Sequence, residues 1–302
     1  MTATNHLLPR CTFPEPGTPV VCAWSGGPDS TALVVLARAA GCEVTAVHVD
    51  HGLRPDSGDD ADHVRRLAQT LDVRLDVVTV VIGDGPNLEA RAREARMAAL
   101  GPDVLLGHTA DDQAETVLLH LLRGAGPTGL GAMSPRRRPI LELRRVETDS
   151  LCAALDLPVL DDPANHDPRF RRNRIRLEAL PVLADIAERD PVPVLVRASR
   201  HQRDVAELLD DLAAEVDATD TRSLQQLHPV VAAHALRRWL RAGTGSAYSV
   251  DTATLDRVMA VVHHRRRATE VGAGWRVDRR DGRLRLEPTN TASGRVEASS
   301  AR

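Results

Sequence analysis

Apolar residues in the first half of the chain follow two alternating patterns. Short runs rich in β-branched residues predict buried strands, and segments with apolar positions three or four apart predict amphipathic helices. The predicted strands are residues 20–24, 44–49, 75–81 and 104–107, and the predicted helices are residues 29–40, 58–72, 88–100 and 111–123. Strands that alternate with helices favour right-handed crossovers, so we predict an α/β fold with a doubly wound parallel sheet.

The pattern changes after residue 180, where Pro181, Pro191 and Pro193 mark a boundary. Helical periodicity predicts a smaller, mainly helical C-terminal domain. Its predicted core includes residues 230–240 and the stripe Val205, Leu208, Leu209, Leu212 and Val216. Asp281-Gly282 is typical of a type I′ turn and predicts a hairpin over residues 272–286.

Composition narrows the function classes. The 302 residues carry a net charge of −3, and all 39 basic residues other than histidine are arginines, so nucleic acid could be bound only by a local patch. The four cysteines form no Cys-x-x-Cys pair, which argues against a zinc ribbon or an iron–sulfur cluster. The sequence shows no signal peptide and no membrane-length apolar run, so we expect a cytoplasmic protein without membrane contact.

A glycine turn joins the first predicted strand to the first predicted helix. Its sequence is Ser25-Gly-Gly-Pro-Asp-Ser30. Adjacent glycines let backbone amides approach an oxyanion, and the helix dipole adds positive potential. Neither the Walker spacing nor the dinucleotide fingerprint is present. We predict a nucleotide phosphate loop made by Ser25, Gly26, Gly27, Pro28, Asp29 and Ser30, with Asp29 able to hold Mg²⁺.

Acidic residues open the helix that follows the fourth predicted strand. Capping by Thr109 and the helix dipole could account for Asp111. Asp112 and Glu115 lie three apart on one face, and this pair could hold a metal or a cationic substrate.

Three further residues lie near the predicted strand ends or on a charged helix. His48 and His108 are expected to shape the adenine or phosphate pocket. Arg93 lies on a helix of alternating charge, which is typical of a solvated face but could also neutralise pyrophosphate beside ATP.

An arginine-rich segment spans residues 167–176. Arginine binds phosphate bidentately and stacks on bases, so this density favours an RNA backbone contact over the alternative, a solvated helix start. The predicted RNA-contacting residues are Arg169, Arg171, Arg172, Asn173, Arg174 and Arg176.

Taken together, these segments resemble the tRNA(Ile)-lysidine synthetase family of PP-loop ATP pyrophosphatases. The matching motifs are residues 25–30, 47–54, 87–93, 111–116, 123–126, 129–133 and 162–176. Met97 and Thr109 depart from the family pattern. The resemblance implies a tail at residues 1–19, a catalytic domain at 20–185, a tRNA-contacting domain at 186–287 and a disordered tail at 288–302.

The resemblance also implies a reaction. ATP activates the C2 carbonyl oxygen of cytidine 34 as an adenylate, and the ε-amine of free L-lysine then displaces AMP. ATP and Mg²⁺ would be the cofactors, tRNA(Ile) with a CAU anticodon the partner, and no obligate protein partner is evident. Asp29 with Asp111 or Asp112 would place Mg²⁺, while Asp112 and Glu115 would receive lysine.

Three alternatives share parts of this pattern. A tRNA thiolation enzyme on the same fold would need paired or cluster-binding cysteines. An amidating synthetase would not need the arginine-rich segment. A non-catalytic nucleotide- or RNA-binding protein would bind both ligands but release no pyrophosphate.

Overall fold

The structure is a computed structural model that describes residues 2–50, 57–80, 88–161, 167–245 and 250–289. The chain divides into two compact units, Met1–Arg203 and Asp204–Arg302. The boundary between the units, after Arg203, falls inside the helix Val192–Ala214. The sequence analysis placed the domain boundary at residues 185/186. The motif residues 51–54, 87 and 162–165, and the predicted tail after Thr289, lie outside the described residues.

The first unit is built on a parallel sheet. Its strands are β1 (Pro19–Ala23), β2 (Glu43–Asp50) and β3 (Arg74–Thr79), in the order β1–β2–β3. The predicted fold class is confirmed. The fourth predicted strand is wrong in extent, because only Leu105 pairs with β1, as an isolated parallel bridge to Cys22. Its neighbour Leu106 donates instead to the carbonyl of Arg137 at 2.8 Å, which takes the chain away from the sheet.

Helices connect the strands and follow the sheet. They are α1 (Thr2–Asn5), α2 (Pro28–Ala39), α3 (Ser57–Leu71), α4 (Leu88–Leu100), α5 (Ala110–Leu121), α6 (Pro127–Leu130), α7 (Arg145–Ala154), α8 (Arg171–Arg174), α9 (Leu180–Ala187) and α10 (Val192–Ala214). Short 3₁₀ turns occupy Leu8–Arg10 and Pro135–Arg137, and a π-helical turn, Ile175–Ala179, joins α8 to α9. The four predicted helices correspond to α2, α3, α4 and α5, whereas α7 was not predicted.

The core of the first unit lies between α2, α7 and the sheet. Helix α2 is buried along most of its length, and Trp24, Ile140 and Leu143 are almost completely buried beside it. Leu7 is only 1% exposed in the same cluster, so the segment predicted as an N-terminal tail packs against the core of the first unit. Arg10 fastens this segment by donating to Glu147 at 2.5 Å.

Gly107 allows the chain after Leu105 to touch the start of α2. A Cβ at this position would lie 2.8 Å from the Asp29 carbonyl oxygen and 2.9 Å from Ser30 Cα. Both neighbours are backbone atoms, so neither can rotate away. The close approach holds the segment that precedes α5 against the segment that begins α2.

The second unit contains the end of α10, the helices α11 (Thr221–Gln226), α12 (Pro229–Thr244) and α13 (Thr252–Val262), and an antiparallel sheet. The sheet strands are β4 (Ala268–Gly272), β5 (Trp275–Arg280) and β6 (Arg283–Pro288). Asp281 and Gly282 have φ values of +52° and +75°, as the predicted type I′ turn requires. The predicted hairpin is thus a three-stranded sheet, since β4 was missed.

The apolar stripe predicted as core on α10 is largely exposed. Val205, Leu208 and Leu212 are 43%, 58% and 52% exposed, whereas Ala206 and Ala213 are buried. This prediction is wrong because two overlapping stripes share the helical period, and the one that faces the core carries small residues. None of the described helices is long and apolar enough to cross a membrane.

We expect Gly107→Ala to destabilise the protein by about 1–3 kcal/mol, because the added methyl group overpacks against backbone. Urea unfolding would measure the change in free energy. Gly126→Ala is the matched control, since Gly126 has a negative φ and no atom within 4 Å of a built Cβ. Equal stability of the two variants would contradict the close approach.

Candidate active site

The glycine loop lies between β1 and α2, as the sequence predicted. Gly26 adopts φ +88°, and its carbonyl oxygen accepts from the Leu160 amide at 2.9 Å. The hydroxyl oxygens of Ser25 and Ser30 are 3.0 Å apart, and Ser30 donates to the Gly27 carbonyl at 2.9 Å. Internal hydrogen bonds therefore hold the loop in shape.

The loop keeps backbone donors available. In the described part of the chain, no backbone hydrogen bond uses the amides of Gly26, Gly27, Asp29 or Ser30. Pro28 stands at the first position of α2, where its missing N–H is no loss. Free amides at the N-terminus of a 12-residue helix suit an oxyanion.

The guanidinium of Arg145 joins the loop to the acidic helix α5. Its Nε lies 3.2 Å from Asp29 Oδ2, its Nη2 3.1 Å from Asp112 Oδ1 and its Nη1 3.4 Å from Glu115 Oε1. Each of its three nitrogens thus contacts a different carboxylate. The structure brings together three of the predicted acids, and it does so around an arginine that the sequence analysis missed.

Asp111 is held by the neighbouring arginine. Arg144 donates to both of its carboxylate oxygens at 3.0 Å, and the Arg145 amide donates to Oδ2 at 2.8 Å. Arg144 also pairs with Asp190. Burial raises the pKa of Asp111, but the hydrogen bonds from Arg144 and the Arg145 amide, together with the charges of both arginines, outweigh it and leave that pKa below its usual value.

Glu115 is completely buried and is approached by two more arginines. Arg176 Nε lies 2.7 Å from Oε1, and Arg172 Nε lies 3.1 Å from Oε2. Arg172 also donates to the Thr116 hydroxyl at 2.7 Å. The cluster therefore pairs the carboxylates of Asp29, Asp111, Asp112 and Glu115 with the guanidinium groups of Arg144, Arg145, Arg172 and Arg176.

Asp29 differs electrostatically from the α5 acids. Burial raises its pKa to about 6, although Arg145 acts in the opposite direction. For Asp112, burial is outweighed by Arg145, His108 and the Thr109 amide, and the pKa is lowered. Thr109 caps α5 by donating its amide (2.9 Å) and hydroxyl (3.1 Å) to Asp112 Oδ2.

Both predicted histidines are near the loop but have structural partners. His48 Nδ1 lies 2.8 Å from the carbonyl oxygen of Trp24, just before the loop, and the ring is buried. His108 Nδ1 accepts from Arg138 Nε at 3.0 Å. Arg93 lies in α4, but its side chain is outside what the structure describes.

The arginine-rich segment divides into two sets. Arg172 and Arg176 turn inward to Glu115, as described above. Arg169, Arg171 and Arg174 are exposed, and two of them make exposed pairs, with Asp167 and Glu178. Asn173 is buried and donates to the Asp167 carbonyl at 2.9 Å.

Arg144 and Arg145 are the site residues that sequence reasoning missed. The only local signal was an Arg-Arg pair at the start of an amphipathic segment. Thr148, one turn further along α7, donates its hydroxyl to Asp29 and was missed as well. Spacing alone gives no reason to connect α7 with the glycine loop.

A cleft of about 220 Å³ opens beside the cluster. Its charged lining residues are Asp111, Glu115, Arg144, Arg145, Arg176 and Asp190. The remaining lining residues are apolar: Leu180, Pro181, Ala184, Pro191 and Val192. A lining that combines charged and apolar side chains suits a small ligand that has a polar end and an aliphatic chain.

The residues present fit a magnesium ion only in part. Within the described ranges, no group of three histidine, cysteine or acidic side chains could hold a metal. Mg²⁺ usually keeps several waters and binds one or two carboxylates together with substrate phosphates. Asp29 fits that pattern because it lies beside the phosphate loop, although its two oxygens accept from Arg145 and Thr148. Asp111 is held by Arg144 through both oxygens and by the Arg145 amide.

Comparison with known proteins defines the class first. The family model described as a PP-loop domain (ATP_bind_3) matches residues 4–183, more than half of the chain. Among solved structures, the U34-tRNA thiolase NcsA from Methanococcus maripaludis, determined with its [4Fe-4S] cluster, is similar in fold. Its TM-score is 0.55 at 16% identity, covering 66% of this chain and 77% of that one. The fold and the loop are those of an ATP-using PP-loop domain.

Curated relatives define the particular family. A tRNA(Ile)-lysidine synthase from Nocardia farcinica is 42% identical over 245 residues, 76% of this chain and 77% of the relative. Another from Mycolicibacterium paratuberculosis is 43% identical over 238 residues, 73% and 74% of the two chains. The chain belongs to the tRNA(Ile)-lysidine synthase family.

Asp29 should make the ligand-free protein less stable as the pH rises. Its folded pKa of about 6 lies above the ordinary 3.8, so its favourable contribution is complete at low pH and is lost as the pH rises through about 6. We expect Asp29→Asn to gain stability relative to the unsubstituted chain as the pH rises from about 4 to about 6, and to keep that gain at higher pH.

Thermal unfolding in the presence of a chelator would measure this difference. Asp111→Asn is the control of opposite sign, because the folded pKa of Asp111 is lowered. That substitution should destabilise the protein at neutral pH and less so in acid. The same pH trend in both variants would refute the assignment.

Proposed function

We propose that this protein joins free L-lysine to C2 of cytidine 34 in the CAU anticodon of tRNA(Ile), with ATP as the activating substrate. The cytidine C2 carbonyl oxygen attacks the α-phosphorus of ATP, and pyrophosphate leaves. The lysine ε-amine then attacks C2, and AMP leaves with the former carbonyl oxygen. The observation that carries the proposal is the Arg145-centred acid cluster directly beside a PP-loop.

The glycine loop would bind the phosphates of ATP. Free amides at Gly26, Gly27, Asp29 and Ser30 can donate to phosphate oxygens, and the dipole of α2 stabilises their charge. Asp29 would hold Mg²⁺, which when bound withdraws charge from the reacting phosphates. Asp29 is preferred to Asp111 for this role because it stands at the start of α2, in the phosphate loop itself.

The cleft beside α5 would bind lysine. Glu115, which lines the cleft, and Asp112, which is joined to it through Arg145, would offer carboxylate oxygens to the amine. Leu180, Ala184 and Val192 would offer apolar surface to the aliphatic chain. An uncharged amine is the nucleophile, and nearby guanidinium groups disfavour a second positive charge. The arginines around Glu115 would therefore help the bound amine to lose its proton.

The exposed arginines would contact tRNA. Arg169, Arg171 and Arg174 face solvent on the segment whose inward arginines hold Glu115. The same short segment thus could connect the tRNA backbone with the amine site. We keep Arg172, Asn173 and Arg176 as positioning residues rather than as direct contacts with phosphate.

A thiolation enzyme is a weaker candidate. Three of the four cysteines are buried, and burial raises the pKa of Cys22 and of Cys152 to about 12. Such thiols remain protonated and are poor nucleophiles or metal ligands.

The reaction can be tested with ATP, radiolabelled lysine, and transcripts of tRNA(Ile) and tRNA(Met) that both carry CAU. We expect label in tRNA(Ile), with one AMP and one pyrophosphate released per lysine. Asp29→Ala should abolish tRNA-dependent exchange of pyrophosphate into ATP. No label in either tRNA, or full exchange by the variant, would overturn the proposal.

If the exposed arginines contact tRNA, substituting them should weaken tRNA binding without affecting the ATP site. Replacing Arg169 and Arg171 together with alanine should weaken tRNA binding and flatten its salt dependence by about one to two counterions. The affinity for ATP should stay the same. Replacing Arg65 and Arg66 is the control, because they are exposed in α3 and lie outside both this segment and the predicted tRNA-contacting domain. Filter binding over a salt series would measure both variants.

A further inference from the structure

The guanidinium of Arg145 occupies the acceptors that an incoming amine needs. Its Nη2 donates a hydrogen bond to Asp112 Oδ1 at 3.1 Å, and the other oxygen of Asp112 accepts from the amide and hydroxyl of Thr109. Its Nη1 lies 3.4 Å from Glu115 Oε1, which also accepts from Arg176. While Arg145 stays in place, both oxygens of Asp112 and Oε1 of Glu115 are therefore taken. Glu115 Oε2 makes no hydrogen bond in the described part of the chain, but it is completely buried and lies 3.1 Å from Arg172 Nε.

The same guanidinium is tied to the nucleotide loop. Its Nε donates to Asp29 Oδ2 at 3.2 Å, the carboxylate that would hold Mg²⁺. Once a dication neutralises Asp29, this contact loses its attraction and the dication repels the guanidinium. Triphosphate oxygens are then a stronger partner, because arginine binds phosphate bidentately.

The position of Arg145 in α7 supports a role other than helix stability. It is the first residue of that helix, where cationic side chains are unfavourable beside the positive end of the dipole. Its backbone amide is fixed by Asp111 at 2.8 Å, so the side chain can move while the residue stays anchored.

We propose that Arg145 closes the amine site in the nucleotide-free protein and leaves it when Mg²⁺ and ATP bind, so that nucleotide opens the site for lysine. The inference rests on the proposed function, because it assigns the acid pair to lysine. Since binding free energies are reciprocal, lysine must also tighten nucleotide binding by the same factor.

Calorimetry on the full chain tests the inference without turnover. Lysine is titrated alone and in the presence of Mg²⁺ and saturating α,β-methylene-ATP, which cannot transfer AMP. We expect the nucleotide to tighten lysine binding about tenfold or more in the unsubstituted protein, within the usual range of coupling between sites. In Arg145→Gln the tightening should vanish, because lysine already binds without nucleotide.

Two variants serve as controls. Arg200→Gln should keep the nucleotide effect, since Arg200 pairs with Glu142 and does not line the cleft. Arg145→Lys keeps the charge with a shorter reach and should show an intermediate effect. If Arg145→Gln fails to fold, Arg145→Lys tests the role of Arg145, and the unsubstituted protein still tests whether nucleotide affects lysine binding.

Three results would overturn the inference. One is lysine binding in the unsubstituted protein that does not respond to nucleotide. Another is a variant at position 145 that weakens lysine binding equally in both states, as a merely structural role would. The third is an undiminished nucleotide effect in Arg145→Gln. If label still reaches tRNA(Ile) in any of these cases, the proposed function stands; if it does not, the proposed function fails as well.

Discussion

The pairing of four carboxylates with four guanidinium groups is the constraint on which the site depends. Buried charges are tolerated only when they are paired and hydrogen-bonded, and removal of one partner leaves an uncompensated ion. Glu115 has no exposed surface and is contacted by Arg145, Arg172 and Arg176, which come from two separate segments. The charge of this one acid therefore fixes where both segments must lie.

The parallel sheet brings the acids and the loop together. In such sheets, the segments that follow successive strands meet at the carboxyl edge, where ligands bind. β1 leads into the glycine loop, and the short bridge at Leu105 leads to Thr109 and α5. Gly107 allows the segment before α5 to contact the start of α2, because a side chain at this position would collide with the backbone of Asp29 and Ser30.

The arginine-rich segment shows how one short stretch can serve two purposes. Arg172 and Arg176 are four residues apart, so they project from one face of the helix toward Glu115. Arg169, Arg171 and Arg174 take other directions and remain exposed. Composition correctly marked the segment as unusual, but only the fold separates the arginines that organise the acid cluster from those that face solvent.

The sequence alone determined the features that depend on near neighbours in the chain. The glycine loop, helices α2 to α5, the Thr109 cap and the Asp281–Gly282 turn follow from periodicity and turn chemistry within a few residues. The tertiary structure decided the rest. Arg145 meets Asp29 across 116 residues, Leu7 is buried although its segment read as a tail, and α10 buries alanines rather than its leucine stripe. Those outcomes depend on which distant surfaces pack together, and a local pattern carries no information about which partner will be there.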